Sequence, residues 1–237
     1  MAIGRTNCGV GGFVGLPQFT YTGDYTLLDD GDKNWRIKFL TSGTLTFTKA
    51  PGTIDVFCVG GGGGQSRNGA GGGGGYTNTQ LSVVVTSGTY EIVVGSGGGA
   101  KVAGGQTSAF GVTAKGGKSY GASDAKGGPG GSGGGGTTTG NGGSDGSDGT
   151  GSTSHVGGAG QGTTTREFGE SSGTLYSGGG GAMNGKGGAG GGANGCGEAS
   201  SGRDAMPNTG GGGGAASYNA TGGAGGSGIV VIRNHRG

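Results

Sequence analysis

Apolar and polar residues alternate over several short stretches in the first half of the chain. In "WRIKFL", Trp35, Ile37 and Phe39 fall on one face and Arg36 and Lys38 on the other; in "TLTFT", Leu45 and Phe47 alternate with threonines. A period of two predicts half-buried β-strands. "TIDVFCV" sets Ile54, Val56 and Cys58 on one face and Asp55, Phe57 and Val59 on the other, so it predicts a more deeply buried strand. "TSGT" and "KAPGT" supply the turns. "LSVVVTSGTYEIVV" predicts a hairpin, two β-branched runs joined by a short Thr-Ser-Gly turn. Residues 104–117, "GGQTSAFGVTAKGG", predict a further β pair around Ala109–Phe110 and Val112–Ala114, and "GSGIVVIRNHR" a last strand from Ile229 to Arg233.

Between residues 116 and 228 no comparable β pattern exists; glycine blocks alternate with short polar inserts, without a fixed period. A structureless stretch of that length inside one domain is far outside ordinary loop lengths. The chain thus divides into a glycine-rich arm or attachment segment (1–18), a β-strand domain (19–115) completed by the final strand (228–237), and a glycine-rich region with loop tips (116–227).

Glycine decides how that last region is read. It supplies 75 of 237 residues, but with four prolines and no Gly-X-Y period the chain is not collagen. Serine and threonine sit mostly between the blocks, whereas flexible linkers mix serine into them. Oligoglycine adopts an extended threefold helix rising ~3.1 Å per residue. Lacking Cβ atoms, such helices can approach closely enough to hydrogen-bond laterally and satisfy one another's backbone groups. The predicted fold is mainly β: a small antiparallel β-sandwich carrying an inserted polyglycine II helical bundle, with almost no α-helix.

Charge and candidate chemistry narrow the function. A formal net charge of +2 provides no footprint for nucleic acid. No apolar stretch approaches ~20 residues, so no membrane insertion is expected, and "MAIGRTNCGV" lacks the apolar core of a secretory signal. Cys8, Cys58 and Cys196 are odd in number and widely spaced; Cys58 suits a buried strand position, and a Cys8–Cys196 link is an open alternative. His155 and His235 have no second ligand at metal spacing, and Asp145 and Asp148 lie in Asp/Gly repeats without an EF-hand's terminal Glu. "GESSG" is no nucleophile elbow, and the many GxGxxG matches are trivial in such a composition. The expectation is a non-enzyme without cofactor or metal. Among the tiny residues of the inserts stand Tyr120, His155, Arg166, Phe168, Tyr176, Arg203, Met206 and Tyr218. These are the candidate ligand-binding residues at loop tips; for Phe168, Tyr176 and Met206 the alternative is packing at the loop bases.

Three stretches carry a resemblance: "TSGTLTFTKAPGTIDVFCVGGGGG", "GAGGGGGYTNTQLSVVVTSGTYEIVVGSGG" and "GGAGGSGIVVIRNHR". Together they resemble glycine-rich domains of phage and prophage tail-fibre proteins, and "MAIGRTNCG" resembles the start of structural tail proteins in prophages of Gram-positive bacteria. The resemblance implies a virion protein of the tail fibre or tail tip, made in the host cytoplasm. Its residues 1–18 would join other tail proteins, its loops would meet a bacterial surface glycan or protein, and a homotrimer would fit the family. The alternatives are a purely structural fibre component and a non-viral surface-binding module; ice binding is disfavoured by the irregular inserts.

Overall fold

The computed structural model describes residues 16–65, 69–119, 126–137, 148–151, 156–157, 165–197, 200–216 and 220–236. Most of the expected attachment segment, together with Cys8, Tyr120, Asp145, His155 and Tyr218, lies outside them. The described residues are mainly β, and their helix is a single 3-10 turn, Glu167–Gly169.

Among the described residues, ten strands make three antiparallel sheets. β2 (Tyr25–Gly31), β3 (Asn34–Phe39), β10 (Ile229–Asn234), β5 (Gly52–Val59) and β6 (Thr77–Val85) form a five-stranded sheet in that spatial order. β1 (Phe19–Tyr21), β4 (Gly43–Phe47) and β7 (Gly88–Ile92) form a second, and β8 (Thr107–Ala109) with β9 (Val112–Ala114) a short third. The alternation read from the sequence sets the faces. Trp35, Ile37, Phe39, Leu45, Phe47, Ile54, Val56, Cys58, Val230 and Ile232 bury into one core between the two larger sheets. Burial there pushes the Cys58 thiol up to about 12, so it packs as a small apolar group. The last strand lies between β3 and β5, pairing Ile229 with Val59 and Ile232 with both Ile37 and Val56.

One expected pairing is replaced. β6 and β7 do not form a hairpin: β6 pairs with β5, and β7 pairs with β4 in the other sheet. The Thr86–Ser87 link is therefore a corner between layers. Both runs are β-branched and apolar enough to join a sheet, and a period of two does not specify which neighbour a strand takes.

The glycine blocks continue the strands beyond one end of this sandwich. β5 runs directly into 60–65, 71–76 leads into β6, and 222–228 leads into β10. Strand partners persist: below the Val59–Thr77 pair, Gly60 N–H donates to Tyr76 O and Gly63 N–H to Gly73 O, both at 2.9 Å. Each tract, however, now bonds in three directions. Gly61 and Gly64 donate to Gly105 and Val102, while Gly62 and Gln65 donate to Gly226 and Gly223, all at 2.9 Å. Residues three apart thus reach the same neighbour, which is the threefold repeat of polyglycine II rather than the twofold repeat of a strand. The following block repeats the rule. Gly71 and Gly74 donate to Gly135 and Ser132, Gly72 and Gly75 to Gly213 and Gly210, and Gly73 and Tyr76 to Lys118 and Lys115.

Carbonyls complete the circle. Tract 60–65 also accepts from Gly98, Gly117 and Gly213, so six surrounding segments enclose it. The bundle therefore reaches further toward the N-terminus than the 116–227 region expected to hold it, and its centre is built by blocks lying among the first β-strands. Inside it, a side chain has no room. A Cβ built on Gly63 would stand 2.5 Å from the carbonyl carbon and oxygen of Lys118, whereas one on Gly99 would meet nothing within 4 Å. Thr107 joins the bundle to the sandwich: its hydroxyl accepts from Gly95 N–H at 2.9 Å and donates to Val59 O at 2.7 Å.

Two alanine substitutions separate packing from composition. Gly63→Ala forces two rods apart and is expected to destabilise by at least about 3 kcal/mol, the upper range for overpacking. Gly99→Ala should stay within about 0.5 kcal/mol of the parent. Urea unfolding of both variants is the check.

Candidate functional site

Hydrogen-bond register gives the bundle two ends. Ser177, Gly210 and Gly228 stand next to the sheets, the last two bonded to Ser227 and Gly95. At the far end, Met183 N–H bonds Gly69 O, Lys101 N–H bonds Gln65 O, and the Ser119 hydroxyl donates to Gln65 O. A Cβ on Gly69 would have Thr137, Met183 and Ala216 as its nearest neighbours, so these residues share that end. The turn residues Lys101 and Asn184 sit there with φ of 65° and 62°, a left-handed conformation suited to tight reversals. Gln65, Gly69, Ser119, Thr137 and Ala216 therefore all lie at the far end.

Arg203 belongs to the same level. Gly202 and Ala205 donate to Thr221 and Ala224, so Arg203 flanks Gly222 on one side while Lys101, through Gln65 and Gly223, flanks it on the other. Both cations are exposed. Met206, at 66% exposure, lies further down the same tract toward the sheets.

Arg166, Phe168 and Tyr176 occupy a different place from the expected tips. Tyr176 N–H bonds Thr165 O, and Arg166 bridges Leu175, closing a loop over the outer face of the five-stranded sheet. Phe168 and Tyr176 are buried there against Phe57, Val59, Ile229 and Val231, with ring centroids 6.2 Å and 5.5 Å from Phe57. The physical reason lies in β5 and β10, which are apolar on both faces, so the outer face needs a cover. The Arg166 guanidinium turns back to donate to Gly173 O within its own loop.

A charged network fastens this cover. Glu167 is buried and accepts from Arg36 (2.6 Å), from Lys38, and from the Tyr176 hydroxyl (2.5 Å). Arg36 also grips Asp30 through two bonds of 2.8 and 2.9 Å. Arg233 bonds the wholly buried Asp55 at 2.9 Å and Glu170 of the cover, with its guanidinium 4.1 Å from the Phe168 ring centre. Burial pushes the Glu167 carboxyl up, but the hydrogen bonds from Lys38 and Tyr176 and the Lys38 and Arg36 charges outweigh it and hold the group below its usual range. Asp55 is held low in the same way: burial opposes, and the bonds from His235, the Ser82 amide and Arg233 prevail. Burial first, and the adjacent Glu167 charge second, push the Tyr176 phenol far up, so it stays a donor.

Carboxylates with lowered folded values stabilise the fold fully above the usual carboxylate range and lose that contribution as pH falls through their folded values. Stability should therefore hold from pH ~7 down to ~5 and fall below ~4. Glu167→Gln should cost about 3 kcal/mol at neutral pH, because it leaves Arg36 and Lys38 facing a neutral amide, and should flatten the acid slope. Urea titrations at stepped pH measure both.

No curated protein matches this chain. A family model described as a glycine-rich domain matches residues 40–235, running from the end of β3 through both central glycine blocks to the residue after β10. With most of its length inside that match, the chain belongs to the glycine-rich domain family.

Proposed function

We propose that this chain is a phage or prophage tail-fibre or tail-tip protein whose glycine bundle presents its far end to a bacterial surface glycan or protein. The observation that carries this reading is geometric. Rods bonded to one another across their whole length form a stiff body rooted in a β-sandwich, and Lys101, Asn184 and Arg203 lie at the end opposite the root. Exposed turns on a rigid scaffold are well suited to recognition, since the ordering cost is met by the scaffold before binding. The resemblance of the strand-to-glycine junction and of "SGIVVIRNH" to tail-fibre domains supplies the biological setting. The mechanism is attachment without turnover, with the N-terminal segment joined to other tail proteins.

Adsorption of fluorescently tagged protein to a panel of Gram-positive cells tests the reading. Binding to at least one strain is expected, and the Lys101→Ala/Arg203→Ala double variant should weaken it at least about tenfold, or ~1.4 kcal/mol. Arg166→Ala, whose side chain is engaged within its own loop, should bind as the parent does. Adsorption to no strain favours a purely structural fibre component, and unchanged binding by the double variant removes the far end as the contact surface.

A further inference from the structure

A group of side chains at the edge of the five-stranded sheet lies at the end of the strands away from the glycine bundle. β6 carries an extra residue where Ile54 pairs with Val83 but Val56 pairs with Gln80, so Leu81 and Ser82 together face the single residue Asp55. This bulge holds Ser82 at φ 58°, a conformation that costs a non-glycine residue energy. Bulges re-aim side chains and recur beside active sites. Here the bulge aims the exposed Ser82 hydroxyl at His235, with Oγ 3.1 Å from Nε2. On the other side of the ring, Nδ1 lies 2.6 Å from Asp55 Oδ1.

The proton positions follow from the acceptors. Asp55 is ionised and can only accept, so Nδ1–H donates to it, and in the neutral ring this tautomer leaves Nε2 as an acceptor for the serine hydroxyl. Asp55 is itself fixed from three sides, by the Arg233 Nε–H at 2.9 Å, the Ser82 amide at 3.1 Å and His235. Three residues distant in sequence, at positions 82, 235 and 55, thus meet in the order nucleophile, base, orienting acid.

We propose that Ser82, His235 and Asp55 form a nucleophilic acyl-transfer site that accepts carboxylic esters. Oγ attacks the ester carbonyl carbon while its proton passes to Nε2. The carbonyl reforms as the C–O bond to the alcohol breaks, and Nε2 returns the proton to the departing alkoxide. Water then attacks the acyl-serine with the same base, releasing the carboxylic acid and restoring the hydroxyl. The substrate class follows from two observations. The site is open, with Ser82 exposed, so it does not sort substrates by an enclosing pocket. The Ser82 amide is committed to Asp55 rather than to an oxyanion. A missing oxyanion donor lowers turnover by about 10²–10³, which restricts the site to esters and makes acylation easier to detect than turnover.

The test is labelling of the purified full chain with a biotinylated fluorophosphonate, with the modified residue identified by peptide mass spectrometry. Label is expected on Ser82 and absent in Ser82→Ala. In His235→Gln, checked for folding by circular dichroism, the labelling rate should fall at least about 100-fold, the contribution of a positioned general base. Label on Ser82 no faster than on the exposed Ser87 overturns the proposal, and does so in the unmodified protein alone. An unchanged rate in a folded His235→Gln protein overturns it equally. Neither result bears on whether the far end of the bundle binds cells.

Discussion

Lateral hydrogen bonding between bare main chains is the interaction on which this molecule depends. A strand can share its backbone groups with two neighbours, because successive amides point in opposite directions. A threefold glycine rod points them in three, and tract 60–65 uses all three as donors while accepting from three further segments. The hydrophobic effect contributes little inside such a body. Its cohesion comes from many short bonds in a space from which water and side chains are both excluded, where an unmade bond would be costly. Glycine loses more chain entropy on ordering than any other residue, and the density of satisfied backbone groups offsets that loss.

The β-sandwich gives this arrangement a starting register. Val59 is already paired with Thr77 and with Ile229 when the chain crosses into glycine, so three rods begin aligned by the sheet that precedes them. Thr107, buried where the two parts meet, bonds one strand carbonyl and one rod amide at once. On the outer face, Phe168 and Tyr176 cover β5 and β10, and Glu167 is neutralised by Arg36 and Lys38 from β3. Two unlike interiors are thereby joined, one apolar and one made of peptide groups.

Much of this was legible from residue pattern. The faces of β3, β4 and β5 follow directly from alternation in 34–39, 43–47 and 52–59, and the return of the last strand from its apolar content. The β6–β7 connection was not legible, because Thr-Ser-Gly suits a hairpin turn and a corner between sheets alike, and the choice is made by β4 and β5 in space. Nor does the sequence show that 60–65 and 71–76 are the centre of the bundle, since adjacency to strands says nothing about how many rods surround them. In a polar region, Phe168 and Tyr176 read either as ligand-facing aromatics or as packing at the loop bases. The signal for their true position was Phe57, Val59 and Val231, apolar residues on a strand face that the sandwich core leaves uncovered. The Ser82–His235–Asp55 grouping had no local signature, as a bulge in β6, the middle of β5 and the residue after β10 assemble it.

Amide hydrogen exchange resolved to the tracts 60–65 and 71–76 is the most direct test of this account. Every amide there is bonded to a neighbouring segment, so exchange should require global unfolding, as it does for the strands of the sandwich. Exchange of those glycines at the rate of an unstructured peptide, with β3 and β5 still protected, would contradict it.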